Sequence, residues 1–415
     1  MNIIDYLISG LIGAVIGYIF NEFVVYLREK RKESVHSKRN RELLREFLEK
    51  DYSMNKDGIV LLAHGTPSYS RGDIEGYITD KRFYYPIPQV DSIINHLAKY
   101  GFEQKGNPDF NYTNNVNCLS DSFWGIETFN HGLASFGNYA WDNTIKSELD
   151  EIAKEVAMQF ISDLDAGAVR FNGAMFGVSS FHPNRSQGDE LPTAKVYFYK
   201  TDYFTYRVFS HFYLKHRDDF LKKDITGQLI NNLAYPFLTS FGVAIIAVAS
   251  TNGKDEKLTD SDVLIIGKRS KNVVVDKGLL HFTMNEAFSI RDTIYKDPSL
   301  DLCVSRGFDE ELKWTNDVKG LSFGDCKFID FMFDSNKCEM GITGYIKLSI
   351  GENLSVQKLY ELYKVSQDGI LETEGLEFVE MKHVHGFYAE NKHRMSAAYS
   401  TALDCFMQRY DNGLL

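Results

Sequence analysis

The segment Ser305–Trp314 reads SRGFDEELKW and sets Arg306 four and five positions ahead of the adjacent Glu310 and Glu311. On a helix, residues four apart share a face, and clustered carboxylates supply hard oxygen ligands of the kind Mg2+ takes. Taken alone, DEELK reads first as the solvated face of a charged helix. A second candidate is KHVHGF, which places His383 and His385 on one face of an expected strand, as a two-histidine site or as two exposed side chains. His64, His131 and His182 stand beside Gly or Pro and read as pocket-lining groups or as ordinary turn histidines. No H-x-x-x-H or H-E-x-x-H spacing, P-loop, G-x-S-x-G or G-x-G-x-x-G is present. The five cysteines (Cys118, Cys303, Cys326, Cys338 and Cys405) are scattered and form no C-x-x-C pair. That spacing argues against a thiolate zinc site and a disulfide framework, and fits thiols kept reduced.

The elements that must position these groups follow from hydrophobic periodicity. GVAIIAVAS (Gly242–Ser250) and VLIIGKRS (Val263–Ser270) read as two strands returning through the polar turn TNGKDEKLTDSD. A helix is expected around Ser299–Trp314, then strands at KFIDFMF and GITGYIKLSI, then a terminal helix with Met395, Tyr399, Ala402, Leu403 and Phe406 on one face. In the first half, GIVLLAH (Gly58–His64) reads as a buried strand and DSIINHLAKYGF as a short helix closed by Gly101. Thr144–Asp165 reads as a long helix, and AKVYFYKTDYFTYRVF as strand throughout.

This order resembles the Nudix hydrolase fold over residues 236 to 410. The hairpin ends in a basic element at Lys268 and Arg269. GLLHFTMNEAF lies where that family has a Gly-rich loop leading to a Glu, with Gly278 and Glu286 as candidates. SRGFDEELKW is similar to the helix signature R-E-U-x-E-E-x-G-U. The resemblance implies Glu310 and Glu311 as Mg2+ ligands and, with Glu286, as the catalytic carboxylates of a pyrophosphohydrolase. It implies Arg306, Lys268 and Arg269 as contacts to a nucleotide or nucleotide-derived ligand. The sequence departs from the signature at two positions: Gly307 replaces the Glu after the arginine, and Lys313 replaces the late Gly. Asp301 and Asp309 are the carboxylates near enough in sequence to substitute.

The expected organisation is α+β in four parts. Residues 1–27 are read as one N-terminal transmembrane helix and 28–50 as a basic juxtamembrane helix. Residues 51–235 form an α+β domain of unknown role, and 236–415 a Nudix-like α/β/α sandwich. The stretch Tyr6–Leu27 is interrupted only by Asn21 and Glu22 and would be about 33 Å long as a helix, against a hydrocarbon core of about 30 Å. The Lys/Arg-rich flank from Arg28 to Arg45 predicts a single-pass protein of the inner or plasma membrane with a cytoplasmic body. Gly10, Gly13, Gly17 and Asn21 share one face, through which helices could pair in a homo-oligomer. A net charge of −11 argues against broad nucleic-acid binding. The combined expectation is a nucleotide sensor coupled to membrane-helix assembly, analogous in architecture to effectors of bacterial antiviral defence. The alternatives are a tethered Mg2+-dependent hydrolase of a nucleoside diphosphate-linked substrate, and a scaffold binding protein only.

Overall fold

A computed structural model describes residues 57–415, apart from 70–71, 83, 86, 89, 100–142, 167–171, 185–192, 219–237, 252–256, 272, 274–275, 352–353 and 367–368. In chain order the first half gives β1 (Ile59–Tyr69), β2 (Ile74–Arg82), α1 (Asp91–Lys99), α2 (Asn143–Asp165), β3 (Ala174–Asn184), β4 (Thr193–Asp202) and α3 (Tyr203–Lys215). The second half begins with β5 (Phe241–Ser250), β6 (Val263–Arg269), β7 (Leu280–His281) and β8 (Met284–Ala287). A short hairpin, β9 (Thr293–Ile294) and β10 (Asp297–Pro298), leads into α4 (Leu300–Leu312). The chain continues with β11 (Leu321–Phe323), β12 (Lys327–Asp334), β13 (Glu339–Ile350), α5 (Val356–Tyr363), α6 (Gly369–Glu372) and β14 (Thr373–Glu380). It ends with α7 (Val384–Asn391) and α8 (Ala397–Asp411).

Nine of the strands form one sheet in the order β1-β12-β13-β5-β6-β14, with β11 added to β13, β7 to β6 and β8 to β5. β5 lies at its centre, parallel to β13 and antiparallel to β6. Its sequence explains the position, because a strand apolar at every step can be covered on both faces. Val243, Ile245, Ala247 and Ala249 join the core beneath α4. Ala244, Ile246 and Val248 join the opposite core, against Tyr399, Leu403 and Phe406 of α8. β2, β4 and β3 make a second, three-stranded sheet. It meets the large sheet through Phe176, Phe198, Phe241 and Phe288, with Phe288 5.2 Å from Phe176 and 5.1 Å from Phe198 between ring centroids. One face of the large sheet is thus covered by α8, and the other by α4 together with a second sheet. That differs from the all-helical layers expected of an α/β/α sandwich. β1, on the N-terminal side of residue 236, pairs antiparallel with β12 and completes the large sheet.

The fold class and the localisation need a further correction. Among the described residues no helix is long and apolar enough to cross a membrane. The longest, α2, carries Lys146, Glu148, Asp150, Glu151, Lys154 and Glu155 along its length. It buries only one stripe, Leu149, Ile152, Val156 and Phe160. The expected span at residues 6–27 and the basic segment 28–50 lie outside the described residues. The fold is therefore a mixed α+β structure on a nine-stranded sheet, and the single-pass placement has no structural support.

Two local expectations also change. Tyr203–Phe209 is helical, although its aromatic and β-branched residues suit a strand. Asp202 caps α3 by accepting the Thr205 N–H at 2.8 Å, and Phe204, Val208 and Phe212 bury one helical stripe. His383 and His385 stand at the start of the helical segment that follows β14 and do not share a strand face. His385 bonds Asp411 at 2.9 Å.

Candidate functional site

The site is organised by α4. Ser299 caps its start, accepting the Leu302 N–H at 3.3 Å. Its end turns sharply at Lys313, which has φ 56°, while the Lys313 and Trp314 N–H groups bond the carbonyls of Asp309 and Phe308 at 3.1 Å. This is the position where the Nudix signature has Gly, the residue that adopts a left-handed φ without strain. Trp314 is buried and donates its indole N–H to Leu359 O at 3.0 Å.

Gly307 faces β8. A Cβ there would lie 2.6 Å from Met284 Sδ and 2.9 Å from Glu286 Cγ. The carboxylate missing from the signature therefore has no room in this chain. The helix has closed onto β8 through the space that a side chain at 307 would occupy.

Arg306 gathers the acidic groups around this contact. Its Nε and Nη2 donate to the two oxygens of Asp292 at 2.8 and 2.9 Å, and Nη2 also reaches Ala287 O at 3.0 Å. Its Nη1 donates to Glu310 at 3.0 Å and to Glu286. Arg291 adds a second cation 3.7 Å from Glu310. Asp292 is held in turn by the Ser289 N–H at 2.8 Å. Burial raises its carboxyl to about 6, which leaves it ionised beside the guanidinium at neutral pH.

Glu311 points into a different environment. It is buried and accepts the Asn285 N–H at 3.3 Å. Desolvation pushes its carboxyl well above the usual range; the nearby Glu372 charge adds to this and Arg269 opposes it. Arg269 itself bonds Glu372 at 2.9 Å. Lys268 pairs with Glu374 at 3.4 Å on the strand's exposed side.

The six residues singled out by the sequence thus fall into three places. Arg306, Glu286 and Glu310 form one ion cluster, Glu311 and Arg269 lie in a neighbouring buried group, and Lys268 stands apart. Asp309 pairs with Lys313 at 3.0 Å and Asp301 is exposed in the first turn of α4. Asp292, Glu372 and Asn285 were not anticipated. Asp292 lies 14 positions before its partner, and only the hairpin between them brings the two together. His64 and His182 lie on strands of different sheets, and His131 lies outside the described residues.

The Mg2+ expectation can be tested on this donor set. Glu286 and Glu310 have their oxygens directed at Arg306, and Glu311 is buried in a setting that favours its neutral form. Among the described residues no group of three or more His, Cys, Asp or Glu is arranged to hold a metal ion. The residues present do not fit the ion.

The opposite side of α4 is open. A pocket of about 860 Å³ lies between α4 and the facing edges of the two sheets. Phe198, Phe288, Phe308 and Trp314 lie buried behind its lining, the half-buried Phe323 is accessible, and Asp297, Asp301 and Asp325 are exposed around it. Of the six residues expected from the sequence, only Arg306 lines it.

No protein-family model matches the chain, and no curated protein matches it. Among solved structures, DR0079 from Deinococcus radiodurans is similar at 10% identity and a TM-score of 0.26, over 40% of this chain and 82% of that one. A mutT/nudix family protein from Listeria innocua is similar at 10% identity and a TM-score of 0.25, over 41% and 94%. The similar structures thus include a Nudix protein, at scores too low to carry an assignment.

Proposed function

We propose that this chain binds a nucleotide or nucleotide-derived small molecule in the pocket beside α4, without hydrolysing it through the carboxylates of that helix. One observation carries the reading: α4 separates an open pocket from a motif whose carboxylates are engaged by Arg306 or buried. The pocket volume is typical of small-molecule sites, which are concave and largely apolar with a few polar groups. Of the aromatic residues that line it, Phe323 and Tyr295 are accessible to a planar base. The carboxylates that would hold Mg2+ are instead engaged by Arg306 or buried.

Calorimetry of the full chain against a panel of nucleosides and nucleotides tests this. Ser305 is exposed on α4 and lines the pocket. Saturable binding to a panel member is expected, and Ser305→Trp should abolish it without lowering the melting temperature. The reading fails if no member binds or if Ser305→Trp binds like the wild type. With Mg2+ present, no release of phosphate or nucleoside monophosphate is expected. Release that disappears in Glu310→Gln would establish the hydrolase reading in its place.

A further inference from the structure

Three of the eight exposed large apolar side chains among the described residues stand together along the pocket: Ile294 at 48%, Tyr295 at 97% and Leu302 at 36%. Ile294 and Tyr295 belong to the β9–β10 hairpin. Its strands pair through Ile294 and Asp297, which leaves a two-residue turn at Tyr295 and Lys296. Both turn residues have positive φ, 50° and 81°. Asn-Gly meets such a turn most easily, so two long side chains stand here at a cost in backbone conformation. Contacts within the chain do not offset that cost at Tyr295, whose surface is nearly all exposed. The base of the hairpin is nonetheless fixed. Pro298 lies against Gly76 of β2, where a Cβ would approach it to 2.6 Å, and the Ser299 N–H bonds Asp292 O at 2.8 Å. Asp292 is held in turn by Arg306. The hairpin therefore presents an aromatic knob on a rigid base beside an open hollow, and a knob already in place loses little freedom on binding.

The charges on this face carry both signs. Lys296 is exposed at the hairpin tip, and Lys327 lines the pocket together with the exposed Asp297, Asp301 and Asp325. Among the described residues neither Lys296 nor Asp325 forms an ion pair. A face of one sign repels a copy of itself, whereas a mixed face can set the cations of one copy against the carboxylates of another. Knob and hollow also lie side by side on the same face. A two-fold contact requires that arrangement, because one patch must serve both as donor and as acceptor.

We infer that two copies of this chain pair through this face about a two-fold axis, each placing Tyr295 in the mouth of the other's pocket. Lys296 of each copy then stands against Asp325 of the other. Binding energy in protein interfaces concentrates at aromatic anchors seated in a partner's hollow, and Ile294 and Leu302 add apolar surface around this one. Each pocket is completed by a side chain of the second copy. The pairing stands whether or not the pocket also takes a small molecule.

Sedimentation equilibrium of the full chain across micromolar concentrations tests this. The wild type should follow a monomer–dimer equilibrium. Tyr295→Ala should weaken it about tenfold or more, while Tyr295→Phe retains it. Lys296→Glu and Asp325→Lys should each weaken it, and the chain carrying both changes should recover it. Ser305→Trp, which obstructs the hollow and leaves the knob, should weaken it as well. A mixture of Tyr295→Ala and Ser305→Trp chains should then dimerise better than either alone, because each mixed pair holds one sound knob facing one sound hollow. All four positions are exposed, so circular dichroism should be unchanged in every variant. A wild type that stays monomeric overturns the inference, as does a dimer unaffected by Tyr295→Ala. A mixture no better paired than its components overturns the reciprocal exchange. Failure of the double charge change to recover pairing overturns the contact between Lys296 and Asp325.

Discussion

The two faces of α4 are built from the same thirteen residues and differ in almost every physical respect. Toward β8 the helix presents Cys303, Gly307, Glu310 and Glu311, packed or paired with almost no free volume. Toward the smaller sheet it presents Leu302, Ser305, Phe308 and Asp309 along a pocket. On the first face, the carboxylates are drawn onto Arg306 and Arg291 or buried. On the second, Ser305 and the carboxylates of Asp297 and Asp325 are exposed around an open pocket. One side of the helix is packed and paired within the chain, and the reverse side offers the concave surface.

That contrast can be broken first at Arg306. Arg306→Met would leave the buried Asp292 carboxylate and its neighbours without their counter-ion. Stability should fall by about 3–5 kcal/mol, the range for removing one partner of a buried pair, read by urea denaturation. A loss near that of a surface pair would show that the cluster is not a buttress. Next, Gly307→Glu restores the signature in sequence but drives a side chain into Met284 and Glu286. A loss of about 1–3 kcal/mol is expected from overpacking, with no gain in Mg2+ binding by calorimetry. Tight Mg2+ binding in this variant would overturn the steric account.

A smaller change of opposite sign is expected at Lys313. Lys313→Gly relieves a left-handed φ at a residue with a Cβ and forfeits only a half-exposed pair with Asp309. A gain of about 1 kcal/mol is expected, visible as a higher denaturation midpoint. The smallest effect belongs to Glu311→Gln. The folded carboxyl is raised above its unfolded value, so Glu311 contributes stability below the unfolded pKa and loses it as pH rises through the folded one. Glutamine should match the wild type in mild acid and become the more stable variant as pH increases. A glutamine variant that is less stable across the whole range would mean that Glu311 is held ionised, as a metal ligand would be.

Much of the frame behind these faces was legible because it rests on strict periodicity. The unbroken apolar runs in Gly242–Ser250 and Val263–Ser270 gave β5 and β6, and the helical stripe from Met395 to Phe406 gave α8. Arg306, Glu286 and Glu310 were picked out through the resemblance to a family signature, and they do converge. Their partners were not readable, because Asp292 and Glu372 arrive by tertiary packing across a hairpin and from a short helix before β14. The pocket was invisible for the same reason: its lining draws Phe198 from the smaller sheet and Phe323 from the large one. Tyr203–Phe209 misled because a capped helix overrides strand propensity. The membership of β1 in the large sheet depends on pairing with a partner far along the chain, which no local pattern records.

That long-range pairing has a consequence for the order in which the molecule can be made. Arg409 of α8 is fully buried, bonded to both oxygens of Asp330 in β12 at 2.7 and 3.0 Å, and to the carbonyls of Gly65 and Pro67 in β1 at 3.1 and 2.7 Å. Gly65 and Arg409 are 344 positions apart. During translation, β1 must wait for those 344 positions to be added before its carbonyls meet this guanidinium. The edge strand is thus synthesised well before the group that secures it, and the interval before Arg409 appears is a period when its carbonyls are open to a chaperone.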